Sequence, residues 1–213
     1  MQYTGEMTFW LLTIAGVSAS GKTTLKEYLA HELHQHFGFQ PTCLAMDGYY
    51  CDFSALPPSE LKEVNYDHPD SFDSISLVND VRRLKSGEPI YSRDYNYVQH
   101  KPVEAATQTY PAPIIILEGI LPLHFSEILT LSDLTVYLDT PIDRCFERRL
   151  CRDVQERGRS MASVKRQFET HVLPMYSDYV QPQKQVADQV LADGGQCPVL
   201  LENIIQRVEQ CRG

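Results

Sequence analysis

The chain is poor in positive charge: 19 lysines and arginines stand against 28 aspartates and glutamates, a formal net charge of −9 over 213 residues. Such a surface repels a polyphosphate backbone, which excludes nonspecific nucleic-acid binding as a general role. Long apolar runs are also missing. The two most apolar stretches, residues 9–14 and 114–117, fall far short of the ~20 residues a membrane-spanning helix needs. The first residues lack a basic-then-apolar leader pattern. With no membrane partner expected, a cytoplasmic location follows. Six cysteines, Cys43, Cys51, Cys145, Cys151, Cys197 and Cys211, show neither C-x-x-C nor Cys/His ligand spacing. That disfavours structural zinc and a disulfide framework and leaves reduced, buried thiols as the expectation. There is no internal repeat, low-complexity tract or interdomain linker, and the length suits one domain spanning 1–213.

What is present is an alternation of short apolar runs with amphipathic ones. Residues 10–15 read as a buried strand bounded by Gly16, and residues 22–37 as a helix with Leu25, Leu29 and Leu33 on one face, closed by Gly38. Residues 42–46 form a second short strand ending at Asp47. The stretch 49–73, with Pro57, Pro58 and Pro69, reads as a functional loop. A helix is expected over 74–85, stopped by Ser86-Gly87. The tyrosine-rich insertion at about 88–103 predicts a small β-hairpin outside the main sheet. Residues 114–117 and 134–138 are β-branched, continuous runs typical of central parallel strands. Pro141 opens a helix running to about Arg157, Gly158 interrupts, and a further helix should end near Pro174. A strand at 186–191 and a helix at 199–210 close the chain. This order predicts an α/β fold with a parallel sheet flanked by helices.

Gly16-Val-Ser-Ala-Ser-Gly-Lys22-Thr23 matches the Gly-x4-Gly-Lys-Thr pattern of a P-loop, with the required strand before it and helix after it. Glycines let backbone N–H groups approach phosphate oxygens, and the following helix adds its positive end. Gly16, Ser18, Ala19, Ser20, Gly21, Lys22, Thr23 and Thr24 are therefore candidate contacts to a nucleotide phosphate donor, ATP or GTP. Lys22 is expected on the β/γ-phosphates and Thr23 on Mg²⁺. Asp47 and Glu118 directly follow apolar runs, where open α/β sheets collect their chemistry. Glu118 is the expected second member of the Mg²⁺ shell. Asp47 is placed to orient an acceptor hydroxyl and take its proton; the plainer alternative for either acid is a helix cap or turn residue. Six of the 19 basic residues, all arginine, lie between Arg144 and Arg159, so an anion is expected there. Arg148, Arg149 and Arg152 are spaced to project their guanidinium groups to one side of a helix. The plainer alternative is a solvated basic face paired with Asp153 and Glu156.

Further stretches complete a pattern. Asp47-Gly-Tyr-Tyr50, Asn65-Tyr-Asp-His-Pro-Asp-Ser-Phe-Asp73, Tyr95-Asn-Tyr-Val-Gln-His100, Glu118-Gly-Ile-Leu121 and Arg148-Arg-Leu-Cys-Arg-Asp-Val-Gln-Glu-Arg-Gly-Arg159 occur in order. Together with the P-loop they resemble the uridine kinase (uridine–cytidine kinase) family of P-loop kinases, from about residue 10 to 188. The resemblance implies a P-loop NTPase-type sheet with a hairpin substrate subdomain and a helical arginine lid at about 148–175. It implies phosphorylation of the 5′-hydroxyl of uridine and cytidine, with Asp47 as base and Lys22, Arg152, Arg157 and Arg159 on the phosphates. It further implies that Asp67 holds the ribose hydroxyls, that Tyr95, Tyr97 and His100 form the pyrimidine pocket, and that Tyr50, Tyr66, Arg149 and Gln167 complete the nucleoside site. Homo-oligomers, commonly tetramers, are also implied. Gly48, Asn96 and Lys101-Pro102 depart from the family's usual Ser, Asp and small residue–Arg. Two other readings compete: a related P-loop kinase acting on ribulose 5-phosphate or pantothenate, and a nucleotide-binding switch. The Tyr95–His100 stretch and Asp67 favour a nucleoside over the first, and the absence of an Asn-Lys-x-Asp motif weighs against the second.

Overall fold

A computed structural model describes residues 9–61, 63–103, 107–156 and 158–212. Strand β1 (Trp10–Gly16) is buried along its whole length, and its alternating side chains feed two separate cores. Leu11 and Ala15 join one apolar cluster, while Trp10, Leu12 and Ile14 join another. Gly21, at φ +100°, turns the chain into α1 (Lys22–Phe37), and Gly38, at φ +77°, ends that helix by donating its N–H to the His34 carbonyl. Strand β2 (Thr42–Ala45) gives way to a 3₁₀ turn over Met46–Tyr49, so this strand stops one residue short of the expected 42–46.

A short helix α2 (Pro58–Leu61) precedes α3 (Ser74–Lys85), which is capped by the Asp73 carboxylate accepting from the Ser76 N–H at 3.0 Å. The insertion is larger than the single hairpin expected over 88–103. Strand β3 (Ile90–Tyr91) pairs with β6 (Gln108–Thr109), and β4 (Asp94–Asn96) pairs with β5 (Lys101–Val103). The outer ladder is only two residues long and carries no apolar alternation, which left it without a sequence signal.

Strands β7 (Ile114–Gly119) and β8 (Leu134–Leu138) flank β1, separated in sequence by α4 (Ser126–Leu131). After α5 (Ile142–Gln155), residues 161–185 are helical throughout. They begin with α6 (Met161–Gln167), pass through a π segment at Phe168–Val172 and α7 (Leu173–Met175), then a second π segment at Tyr176–Val180 and a 3₁₀ turn. The helix therefore continues past Pro174, where it was expected to stop. Proline crowds the preceding turn of an α-helix, and the wider π turn before it leaves room for the ring. Strand β9 (Gln189–Leu191), shorter than the expected 186–191, and α8 (Pro198–Arg212) complete the chain.

All five main strands run parallel in the order β2-β7-β1-β8-β9. One core lies towards α3 and the aromatic insertion, and the other is built with α1 and α8. The six thiols are unpaired, but only Cys145 is buried; Cys43, Cys151 and Cys211 are exposed, contrary to the expectation of buried thiols. Among the described residues no helix is long and apolar enough to cross a membrane.

The loop after β9 supports the P-loop directly. A Cβ on Gly194 would lie 2.5 Å from the carbonyl carbon and oxygen of Gly21, which are backbone atoms with little freedom to yield. Gly194→Ala should therefore displace the start of α1. Overpacking of this kind costs about 1–3 kcal/mol, roughly 2–12 °C in a chain of this size. Thermal unfolding checks this, and an unchanged Tm would show that the two loops are free to separate.

Candidate functional site

The donor side is built where β1 becomes α1. The Ser20 N–H donates to the Val17 carbonyl at 3.1 Å, closing the loop, while Ala19 takes a positive φ of 66°. The Thr140 hydroxyl donates to the Ser20 carbonyl at 2.8 Å, so the loop after β8 holds the cradle from behind. Lys22 is buried, and its ammonium donates to the Val17 carbonyl at 3.0 Å. Burial lowers its pKa, with the carboxylates of Glu118 and then Asp47 acting in the opposite direction. A buried cation with incomplete local compensation is a strong attractor for phosphate. Ser20 Oγ is buried without a hydrogen-bond partner among the described residues. Ala19, Gly21, Lys22, Thr23, Thr24, Arg148, Arg152 and Gly194 line a cleft of about 370 Å³. Ser18 stands half-buried at the turn beside Gly16, outside that lining.

Glu118 is the penultimate residue of β7 and is buried. It accepts from the Thr23 hydroxyl at 3.1 Å and pairs with Lys26 at 3.2 Å. A hydroxyl and a carboxylate oxygen at the mouth of a phosphate cradle are the few protein donors that Mg²⁺ takes when phosphate oxygens and water supply the rest. The residues thus fit that ion. Lys26, one helical turn beyond Lys22, was not singled out from the sequence; its spacing was the available signal.

The acceptor side begins at Asp47, in the turn that follows β2. Its side chain keeps exposed surface, yet it lies outside the lining of the donor cleft and is crowded by surrounding protein. This crowding raises its pKa, against the pull of Lys22 and with a further push from Glu118. The Tyr97 hydroxyl donates to Asp47 Oδ2 at 3.3 Å. Behind this turn, Tyr49 donates to Asp80 at 3.0 Å, and Arg93 from the insertion bonds Asp80 at 2.7 Å while lying 5.1 Å over the Tyr49 ring. This clamp explains Gly48, one of the departures from the family pattern: a Cβ there would meet the Arg93 carbonyl oxygen at 2.7 Å.

Asp67 is buried, and its pKa is raised by that burial, opposed chiefly by Arg149 and then by His171 and Lys22. Tyr50 is also buried, stacked on Phe72 at 4.4 Å and set edge-on to Tyr66, Tyr95 and Tyr97 at 5.1, 5.3 and 5.9 Å. The three hairpin residues thus have different situations. Tyr95 is packed into the aromatic core, Tyr97 is exposed, and His100 is half-buried with its Nδ1 2.7 Å from the Tyr66 hydroxyl. Tyr95 reaches the pocket through its hydroxyl, 3.4 Å from that of Tyr66, and its face is covered.

The arginine segment departs most from expectation. Arg148 and Arg152 both line the donor cleft, as their spacing suggests, but Arg149 does not join them. Arg148 turns to the loop after β9, where both its terminal nitrogens bond Asp193 at 3.0 and 3.1 Å, with Arg144 beside it at 2.9 Å. These bonds, those of Arg148 first, hold the Asp193 pKa below its usual value. Arg149 turns inward and is buried. It donates to Gln167 Oε1 at 3.2 Å, and the same oxygen accepts from Arg159 at 2.6 Å. All three remaining described arginines converge on Asp153, which has no exposed surface. Arg152 bonds it at 3.0 Å, Arg159 at 3.5 Å, and Arg149 Nε lies 3.7 Å away. Arg157 lies outside the described residues.

The model of the Phosphoribulokinase / Uridine kinase family matches residues 11–199, almost the whole described chain. The chain belongs to this family. Among curated relatives, the uridine kinase of Tolumonas auensis is 39% identical over 199 residues, covering 93% of both chains. That of Haemophilus influenzae is 41% identical over 186 residues, covering 87% of both. Among solved structures, phosphoribulokinase from Rhodobacter spheroides aligns with a TM-score of 0.61 at 15% identity, covering 87% of this chain and 71% of that one. D-glycerate 3-kinase from Cryptococcus neoformans aligns at 0.57 and 15%, covering 86% and 82%. At such identities these structural likenesses speak to the fold.

For this member of the phosphoribulokinase/uridine kinase family, Asp153 is the site residue that sequence reasoning undervalued, having placed it only as a partner on a solvated face. Its position between Arg149, Arg152 and Arg159 was the signal. Removing a buried counter-charge leaves uncompensated guanidinium groups, at a cost of about 3–5 kcal/mol. Asp153→Ala should lose stability on that scale in urea denaturation; a loss below about 1 kcal/mol, the scale of an exposed pair, would show that water already screens these arginines.

Proposed function

We propose that this chain transfers the γ-phosphoryl group of a nucleoside triphosphate, ATP in the first instance, to the 5′-hydroxyl of uridine, with cytidine as a related acceptor. The observation that carries this reading is the position of Asp47. Its carboxylate is coupled to Lys22 on the phosphate side and accepts from Tyr97 on the aromatic side, so one acid faces both substrates. The names of the 37–41% identical relatives, all uridine kinases, support the choice of acceptor.

In this reading the cradle from Gly16 to Thr24 holds the triphosphate, and Lys22 shifts from the Val17 carbonyl to the β/γ-phosphates. Thr23 and Glu118 would hold Mg²⁺, which would supply positive charge to offset the negative charge of the phosphates. Asp67 accepts from the ribose hydroxyls, with the charge of Arg149 favouring its ionised form. The ring of Tyr97 and the edge of His100 take the base, and Tyr50 and Tyr66 back the sugar. Asp47 orients the 5′-hydroxyl and receives its proton late, because phosphoryl transfer has a loose transition state that demands little nucleophile activation. Arg152 and Arg159, with Arg157, stabilise charge on the transferred group. The sugar-facing acid and aromatic wall suit a nucleoside better than ribulose 5-phosphate or pantothenate. A coupled assay with Mg-ATP against these four acceptors tests the reading. Turnover confined to the two nucleosides is expected, and turnover of either other alcohol alone would refute it.

Asp47→Asn should lower kcat by about 10²–10⁴-fold while ATP affinity is retained. The acidic limb of the wild-type rate profile should fall with a midpoint above the usual carboxylate range, because a base with a raised pKa is lost early as pH drops. Stability has the opposite sign. The fold weakens as pH rises from the ordinary carboxylate pKa through the raised one, so the neutral Asn variant should melt higher than wild type near pH 7. Near-normal turnover, or a lower Tm, would contradict the assignment.

A further inference from the structure

The bend after β9 carries an acid whose partners converge on the P-loop. Asp193 Oδ1 accepts from Arg148 Nη1 at 3.0 Å and Oδ2 from Arg148 Nη2 at 3.1 Å, a two-pronged pair that matches the flat fork of a guanidinium. Arg144, one turn earlier on α5, donates to Oδ2 at 2.9 Å. Oδ1 also accepts from the Gly194 N–H at 2.8 Å. Arg148 Nη1 lies 3.5 Å from the Ser20 carbonyl, the same carbonyl that takes the Thr140 hydroxyl. Gly194 in turn rests on the backbone of Gly21 too closely to admit a Cβ. One carboxylate thus ties α5, the loop after β9 and the P-loop into a single unit.

Stability alone does not account for this arrangement. The side chains of Asp193, Arg148 and Arg144 keep 35%, 40% and 55% of their surface exposed, and ion pairs so open to water contribute little to folding. What the pair does fix is direction. An unpaired arginine samples many rotamers, whereas a carboxylate bound to both terminal nitrogens holds the plane and the position of the guanidinium. The guanidinium held in this way belongs to a residue that lines the donor cleft together with Lys22, Thr23 and Arg152.

We propose that Asp193 is a positioning residue for the phosphate donor: it acts through Arg148, holding that guanidinium in the wall of the donor cleft before the nucleotide arrives. This rests on the phosphotransfer reading above and concerns its donor side alone. Two effects oppose each other when the carboxylate is removed. The cleft becomes more positive, which favours a polyphosphate, but at about 10 Å through water and physiological salt that gain is about twofold at most. Re-ordering a freed arginine side chain weakens binding by about 10- to 30-fold. Order outweighs charge, so loss of the carboxylate weakens donor binding.

Asp193→Asn is the selective variant. Its amide oxygen still accepts from the Gly194 N–H, while its NH₂ sets donor against donor at Arg144 and Arg148. Calorimetric titration with Mg-ATP, no acceptor being present, should show about 5- to 20-fold weaker binding than wild type. The same substitution in an Arg148→Ala background separates positioning from simple support of the loop. There it should change ATP affinity by less than about twofold, because the side chain it acts through is gone. Equal losses in both backgrounds would show that Asp193 only holds the loop, and unchanged or tighter binding in Asp193→Asn would show that released charge outweighs order; either result overturns the proposal. If Asp193→Asn does not fold, Arg148→Lys takes its place, since it keeps the charge and loses the fork. It should bind Mg-ATP about fivefold or more weakly, and undiminished binding overturns the proposal. Wild type that fails to bind Mg-ATP overturns the phosphotransfer reading and this inference with it, whereas wild-type binding that the substitutions leave untouched overturns this inference alone.

Discussion

Parallel pairing of β2, β7 and β1 sets Glu118 opposite both Ile14 and Ala45. A few residues beyond that row the flanking strands end, one into the P-loop and the other into the turn carrying Asp47. The register is enforced by burial. Residues 114–117 are fully buried, and β1 distributes its side chains between two cores, so a slip by one residue would exchange the sets feeding each core. This register brings the phosphate cradle, the metal-type acid and the acceptor acid to one edge. Polar contacts such as Thr140 to the Ser20 carbonyl and Tyr49 to Asp80 then hold the loops, leaving Lys22, Asp47 and Asp67 available to substrates.

That freedom has an electrostatic cost that the structure distributes. Lys22 is buried with its charge only partly offset, and Asp47 and Asp67 are both held in surroundings that raise their pKa. Each side of the site is short of the charge that its substrate would supply: phosphate for the lysine, hydroxyl donors for the acids. Asp153 and Asp193 do the opposite work. They satisfy arginines in advance, Asp193 holding Arg144 and Arg148 at the P-loop and Asp153 gathering Arg149, Arg152 and Arg159. Long, flexible cations are thereby ordered before a ligand arrives, which lowers the entropy lost on binding.

Much of this was readable in the residues. The strand-to-helix passage through Gly16–Thr23 was legible because a short buried strand, a glycine turn and a leucine-spaced helix each carry a local signal. Helix α3 and strand β8 were legible for the same reason. Helix 161–185 was not, because proline normally ends a helix and only π turns, invisible in composition, carry it past Pro174. Arginine spacing on α5 foretold that Arg148 and Arg152 meet the same cleft but not the direction of Arg149. Which way Arg148 and Arg149 turn depends on Asp193 and Gln167, residues 45 and 18 positions away. Likewise Tyr95, Tyr97 and His100 read as equivalent pocket residues, while packing against Tyr50 and Tyr66 gives each a different exposure.

The central claim is that phosphate donor and nucleoside acceptor occupy one continuous cleft, joined at Asp47. A bisubstrate compound, adenosine and uridine linked 5′ to 5′ through an oligophosphate, addresses it directly by calorimetric titration with Mg²⁺. Because the second half then binds intramolecularly, the compound should bind about 10²-fold or more tightly than ATP or uridine alone. Affinity no better than that of ATP would contradict a shared cleft.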